Sequence, residues 1–459
     1  MKFTMRSDFV KIYSLGAIIA FVDAFAWSFV YFYLYRGRGF DFGQILTFYA
    51  LTCFIVGALI LFIRNYKRSI FLKTSLLLKV AVYAAMPFIT MPIQLYALAA
   101  IYALSLVMFF IPFNTIYLEL TVSGDRALKS TMQFALWAIF GATVPSLTGV
   151  VVEYYGYTPI FLISAVILFF GFVLSTKIES KEAVKIESDK ASKIESGKTA
   201  KIETDKAAKM ESDKATEIVN GNTVKIENNN TVKTESNKAI KIENNKDIKI
   251  ESDKATNVGN GKAIKTENNE VIKVNIFEAV KKFKRLSPLI FFEGVWSSIT
   301  GLTIPLVTLL LVQEKISYGL FLSYLGVFGG FSSLIIGGIS DRVRKRALFI
   351  QAISIPLGLS ALLTAFGGSF AEWMIFAALV SMLTFMLLPF TYTLVGDIST
   401  NNIGEGVVAR ELFLNFGRVL GGCIMLAGFL LYNDVKATLI VAGAVLLAYP
   451  FIVLFAKVK

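Results

Sequence analysis

Histidine is absent from this 459-residue chain, and cysteine occurs only twice. Without histidine there is no Ser-His or Cys-His catalysis, and the commonest metal ligand is missing. Cys53 and Cys423 build neither a disulfide scaffold nor a thiolate metal site, and both lie inside apolar runs. Charge is scarce as well: 17% of residues are Asp, Glu, Lys or Arg, against roughly 25% in an ordinary soluble domain. No G-x-x-x-x-G-K-[ST] phosphate loop is present, which argues against ATP-driven transport. No loop clusters a nucleophile with a base, and none carries a paired-aspartate motif, so an enzyme is not expected. No cofactor and no resident metal are expected either.

What is there is apolar: 55% hydrophobic and 14% aromatic residues, with a mean hydropathy of +0.63. A soluble globule of this length could not hide that much apolar surface. The excess falls in separate runs of about 20 residues, the length a helix needs to cross a bilayer. Twelve spans are expected near 9–35, 42–63, 69–88, 92–118, 131–152 and 158–176, then 287–312, 318–339, 347–366, 371–396, 409–432 and 437–456. The first run is too long for the core of a secretory signal and lacks a small-residue cleavage site, so no cleavable signal is expected. With the N-terminus inside, sixteen Lys and Arg, Arg410 among them, fall in the inner segments. Only Arg36, Arg38, Lys315 and Lys436 fall outside. This positive-inside asymmetry predicts a multi-pass plasma-membrane protein with both termini and the central segment cytoplasmic.

That central segment has its own order. Residues 177–272 read as twelve octads (KIESKEAV, KIESDKAS, KIESGKTA and onward) with 19 Lys and 18 acidic residues. Its net charge is therefore +1, leaving +12 of the chain's +13 to the membrane part. The positive balance thus reflects topology and not nucleic-acid binding. At about 100° per residue, an octad drifts about 80° per repeat on a helix, so no continuous apolar stripe and no heptad coiled coil form. The segment reads as a disordered or transiently helical cytoplasmic tether, with an adaptor for a cytoplasmic partner or anionic lipid as the alternative. The expected domains are an N-terminal six-helix bundle (1–176), the low-complexity linker (177–275) and a C-terminal six-helix bundle (276–459).

The two bundles look like copies. A shift of 276 residues lays 41–68 on 317–344 without a gap, placing Gly43 on Gly319, Leu46 on Leu322, Ile60 on Ile336 and Asn65 on Asp341. A shift of 277 lays Pro112-Phe113 on Pro389-Phe390. Duplicated six-span halves are the build of many secondary transporters, with the substrate site near the midplane between them.

Between the second and third spans of the second half stands Gly337-Gly338-Ile339-Ser340-Asp341-Arg342-Val343-Arg344-Lys345-Arg346. It resembles the G-x-x-x-D-R-x-G-R-[RK] loop of the major facilitator superfamily. Arg344 replaces the usual second glycine, and in the first half Leu61 and Asn65 occupy the glycine and aspartate positions. The resemblance implies an all-α membrane protein of twelve transmembrane helices in two pseudo-symmetric bundles. It also implies a monomer that moves a small molecule by alternating access. In that family the loop charges hold a cytoplasmic gate, which would make Asp341, Arg342 and Arg346 gating residues. Glu119, Arg126 and Asp397, at the ends of the fourth, fifth and tenth spans, resemble further gate charges.

Charges within spans are costly and mark function by default. Asp23 is the only charge between Lys11 and Arg36, with Trp27 one turn on; it is the candidate for proton coupling or for a cationic cargo. Glu293 and Trp296 in the seventh span, and Asn114 after Pro112, are cavity candidates. Glu411, Asn415 and Arg418 form a polar stripe on the eleventh span, read as a cytoplasmic-side charge network; Arg418 needs a carboxylate or an anionic substrate. Lys79 is expected to snorkel. The partners are thus a small-molecule substrate and the lipid bilayer, and the function a secondary transporter, with proton coupling as one reading. A transporter-like receptor or scaffold signalling through the linker is the alternative, and a membrane-embedded enzyme is less favoured. Cationic, anionic and sugar substrates all stay open.

Overall fold

A computed structural model describes residues 7–121, 126–176, 271–343, 346–398 and 403–456, together with four short strands inside 217–241. The side chains of 7–8, 126–128, 271, 273 and 334–343, and of the four strands inside 217–241, fall outside the description. Two units separate. The larger comprises 1–181 and 269–459, the smaller 182–268.

The larger unit is helical. The first span begins as α1 (Ser7–Phe25). It continues through a 3₁₀ turn at Trp27–Phe29, a short α stretch at Val30–Phe32 and a π turn at Tyr33–Gly37. Neither Pro nor Gly lies within residues 17–36 to explain the break. The remaining helices of the first half are α2 (Phe42–Leu61), α3 (Arg68–Ala85), α4 (Pro92–Glu119), α5 (Arg126–Tyr155) and α6 (Thr158–Thr176). Those of the second half are α7 (Ser287–Leu311), α8 (Lys315–Val343), α9 (Arg346–Phe366), α10 (Phe370–Ile398), α11 (Ile403–Tyr432) and α12 (Thr438–Phe455). Eleven of these twelve spans are long and apolar enough to cross a membrane by length and composition. The twelfth, α8, runs for 29 residues. The end of the helical unit where α1 starts and α12 finishes is here called the terminal face.

Local chemistry sets the breaks between helices. Gly39 at φ 73° closes the first span, and the Asp41 side chain accepts from Gln44 N in a capping box that starts α2. Gly156 at φ 78° separates α5 from α6. Proline opens α4 at Pro92, where its missing N–H costs nothing.

The two halves meet along α5–α8 and α2–α11. Small residues allow the first contact: a Cβ on Gly326 would collide with the backbone of Gly141. Within the second half, Gly417 passes equally close to the Phe291 carbonyl, locking α11 onto α7. Small residues at helix crossings replace the hydrophobic drive that lipid removes.

The smaller unit is described at Glu217–Val219, Asn222–Glu227, Thr231–Thr234 and Lys238–Lys241, four strands in an antiparallel meander. The rest of the octad tether lies outside the described residues.

Candidate functional site

A cavity of about 290 Å³ lies between the halves, lined from the irregular part of the first span (Trp27 and Tyr31) and from α2, α4, α7 and α11. Its two walls differ. The first half contributes an aromatic wall of Trp27, Tyr31, Phe48, Tyr49, Tyr102 and Phe110. Trp27 stacks on Tyr102 with centroids 4.3 Å apart and packs against Phe48 at 6.4 Å. The second half contributes a polar wall: Ser297 from α7 and Glu411, Asn415 and Arg418 from α11. The i, i+4, i+7 spacing puts these three α11 side chains on one stripe.

Of the five residues expected to bind or couple, Trp27 lies on the cavity wall; Asp23, Asn114, Glu293 and Trp296 do not. Asp23 sits behind the wall, accepting from Trp137 Nε1 at 3.4 Å and interacting electrostatically with Lys79 on α3. Lys79 does not snorkel. It is 2% exposed, and its ammonium lies over the rings of Tyr102, Phe109 and Phe110 at 5.2, 5.6 and 5.9 Å. Its position eleven residues into α3 put it too far from the helix end to reach a headgroup, a cue the sequence carried.

Below the polar wall lies a buried charge network. Arg410 Nη2 donates to Glu293 Oε1 at 2.8 Å and Nη1 to Glu411 Oε1 at 2.9 Å. Glu293 is 1% and Arg410 7% exposed. Asn114 Nδ2 donates to Glu411 Oε1 at 3.3 Å, and the Tyr392 hydroxyl donates to Asn114 Oδ1 at 3.2 Å, so the network bridges α4 of one half to α10 and α11 of the other. Trp296 is fully buried one turn from Glu293. Arg410, counted in the sequence as an inner-loop cation, is therefore buried among the helices. α11 begins at Ile403, six residues before its expected start, which carries Arg410 two turns into the helix.

Arg418 differs from Arg410. Its Nη1 meets Asn415 Oδ1 at 3.5 Å, and among the described residues it makes no ion pair with a carboxylate. Asn415 in turn donates to the Glu411 carbonyl at 2.7 Å. A guanidinium that cannot lose its proton thus faces an aromatic-walled cavity.

The expected gate charges pair within each half. Arg68 at the start of α3 holds Glu119 at the end of α4 through two bonds of 2.6 Å. Arg346 at the start of α9 pairs with Asp397 at the end of α10. Both pairs span 51 residues (68 to 119 and 346 to 397), so they correspond under a shift of 278. The sequence alignment at a shift of 276 matches Arg68 with Arg344; the observed pairing puts Arg346 in the position of Arg68 instead. The side chains of Arg126, Asp341 and Arg342 lie outside the described residues.

Contacts across the halves close the face opposite the termini. Arg36 Nη2 donates to the Leu309 carbonyl at 3.3 Å, Lys315 pairs with Glu153 at 3.4 Å, and Ser146 N donates to Ser323 Oγ at 2.9 Å.

No family model and no curated protein sequence matches the chain. Among solved structures it is similar to the crystal structure of the human organic anion transporter MFSD10 (TETRAN). The TM-score is 0.56 at 11% sequence identity, over 98% of this chain and 100% of that one. Two six-helix halves around a cavity between them, with this full-length similarity, show that the chain shares the fold of that transporter.

Proposed function

We propose that the protein is a secondary transporter that carries a small organic anion by alternating access, with the acidic group of the cargo held at Arg418. The observation that carries this reading is a guanidinium without an ion-paired carboxylate among the described residues, set on the wall of a cavity of about 290 Å³ whose other side is aromatic. An amphipathic anion satisfies both walls: the charge goes to Arg418, the apolar body to Trp27, Tyr102 and Phe110. The described name of the similar human protein, an organic anion transporter, agrees with it. Cationic cargo fits less well, because the carboxylates Glu293 and Glu411 are both taken by Arg410.

Asp23 is the proposed coupling carboxylate. It is held behind the Trp27–Tyr102 stack beside a buried lysine, and proton uptake there would free Lys79 and disturb the wall that touches cargo. The protein acts as a monomer in the plasma membrane, with its termini and linker in the cytoplasm and no enzymatic step.

The test is flux of a panel of aromatic and aliphatic carboxylates into proteoliposomes under an imposed pH gradient. Arg418→Gln should abolish saturable uptake of anions, with Arg418→Lys retaining part. Asp23→Asn should remove the response to the gradient while leaving exchange. Uptake of cations or sugars that survives Arg418→Gln would sink the anion reading.

A further inference from the structure

The end of the repeat linker is tied to both halves of the membrane unit. Val271–Lys273 pairs antiparallel with Asn65–Lys67 in the connection between α2 and α3, with Tyr66 opposite Ile272 and Lys67 opposite Val271. Val274 N then donates to the Arg64 carbonyl at 2.8 Å. The next residue, Asn275, caps a short helix, Ile276–Phe283, by accepting from Glu278 N at 3.4 Å. That helix turns Ala279 and Phe283 inward and lies against α11. Strand to the first half and helix to the second thus follow each other within thirteen residues, counted from 271 to 283.

What this stretch covers is the cavity's end at the terminal face. Val274 is buried in a cluster with Ile63 and Tyr66 of the first half and with Val408 and Leu412 of α11. The same cluster contains Val56, Ile60, Val107 and Ile111, and all four of these also line the cavity. The loop that supplies the partner strand is the one where Asn65 and Leu61 replaced the signature aspartate and glycine. The first-half copy lacks the aspartate, keeps Arg64, Lys67 and Arg68, and presents a strand edge.

We propose that residues 271–283 are a strap that holds the cavity closed at the terminal face, and that the strand Val271–Lys273 must leave Asn65–Lys67 before the cavity opens there. Three paired residues make a ladder weak enough to open during turnover, since even a whole isolated hairpin is marginal in water. The strap continues directly into the octad segment, so anything that pulls on or binds that segment acts on the gate. The inference rests on the two halves parting at the terminal face, one element of the transport reading, and not on any cargo.

Cys53 lines the cavity and serves as the reporter. In a Cys423→Ala background, Lys67→Cys with Val271→Cys places two thiols directly opposite in register, where cross-strand Cβ atoms lie about 4.5–5.5 Å apart. Membrane vesicles sorted by orientation are treated at the terminal face with an impermeant maleimide, and the Cys53 peptide is followed by mass spectrometry. Oxidation should slow Cys53 labelling at least tenfold, and reductant should restore it. Ile272→Pro, which removes one N–H from the ladder without touching a membrane helix, should speed labelling at least threefold. Failure of the disulfide to form, or equal labelling in the oxidised, reduced and Ile272→Pro proteins, overturns the strap. A protein that shows the labelling difference but moves no anion keeps the strap and loses the cargo reading.

Discussion

The two six-helix halves keep the same clamp and differ in where they bury charge. Arg68–Glu119 and Arg346–Asp397 tie the third span to the fourth at the same spacing in each half. Away from that clamp the copies part. The first half sets two opposite charges that interact electrostatically, a half-buried Asp23 and a buried Lys79, beside aromatic rings. The second gathers Glu293, Arg410, Glu411 and Arg418 on and beside α11. Duplication preserved what each bundle needs in order to stay a bundle. Divergence then gave one half the apolar wall and the other the polar one, so the cavity is amphipathic only because the halves are no longer alike.

The strongest way to break this comparison is at Arg410. Arg410→Leu leaves Glu293 and Glu411 buried without a cation, and removing one partner of a buried pair costs about 3–5 kcal/mol. Thermal unfolding in detergent should show a large drop in Tm, with Glu293→Gln in the same chain recovering part of it. A smaller loss is expected in the first half: Lys79→Met gives up its electrostatic interaction with Asp23 and should lower Tm less than Arg410→Leu does, and adding Asp23→Asn should recover part of the drop. If the double variant is no better than Lys79→Met, the two groups do not act as a pair.

The clamps sharpen the likeness side of the comparison. Arg68→Ala and Arg346→Ala should each cost about 1 kcal/mol, because both pairs are partly exposed. The two losses should agree within about 0.5 kcal/mol in denaturant titrations; a larger gap would mean that the clamps are not equivalent. The smallest effect is expected at the aromatic wall. Trp27→Leu gives up its stacking on Tyr102, worth about 0.5–1.5 kcal/mol, and should raise the half-saturating cargo concentration a few-fold with unchanged stability of the second half.

Much of the architecture was legible in sequence because lipid imposes a one-dimensional rule. An apolar run of sufficient length becomes a span, so the spans and the all-helical fold were open to reading. Charges were found by the same rule, and Asp23, Glu293, Glu411 and Arg418 stand out against apolar neighbours. Their partners were not legible. Arg410 sits beside Glu411 in sequence, yet its bond to Glu293 depends on α11 crossing α7 at Gly417 and Gly294, a backbone approach that spacing does not reveal. Lys79 and Asp23 lie on different helices and meet only through packing. The strand at Val271–Lys273 escaped because it is three residues long and shares the composition of the octads before it.

The first span carries a further lesson. Its 3₁₀ turn at Trp27–Phe29 is wound tighter than an α-helix, and its π turn at Tyr33–Gly37 is wound looser. The two errors in twist oppose each other, so the ends of the span keep nearly the phase of one regular helix while the stretch between them is rotated. That rotated stretch presents Phe29 and Phe32 to Tyr318 of the other half, at centroid distances of 5.3 and 4.9 Å. Phe29 and Phe32 thus reach Tyr318 only while both irregular turns are kept, and rewinding either one would turn these rings relative to Tyr318.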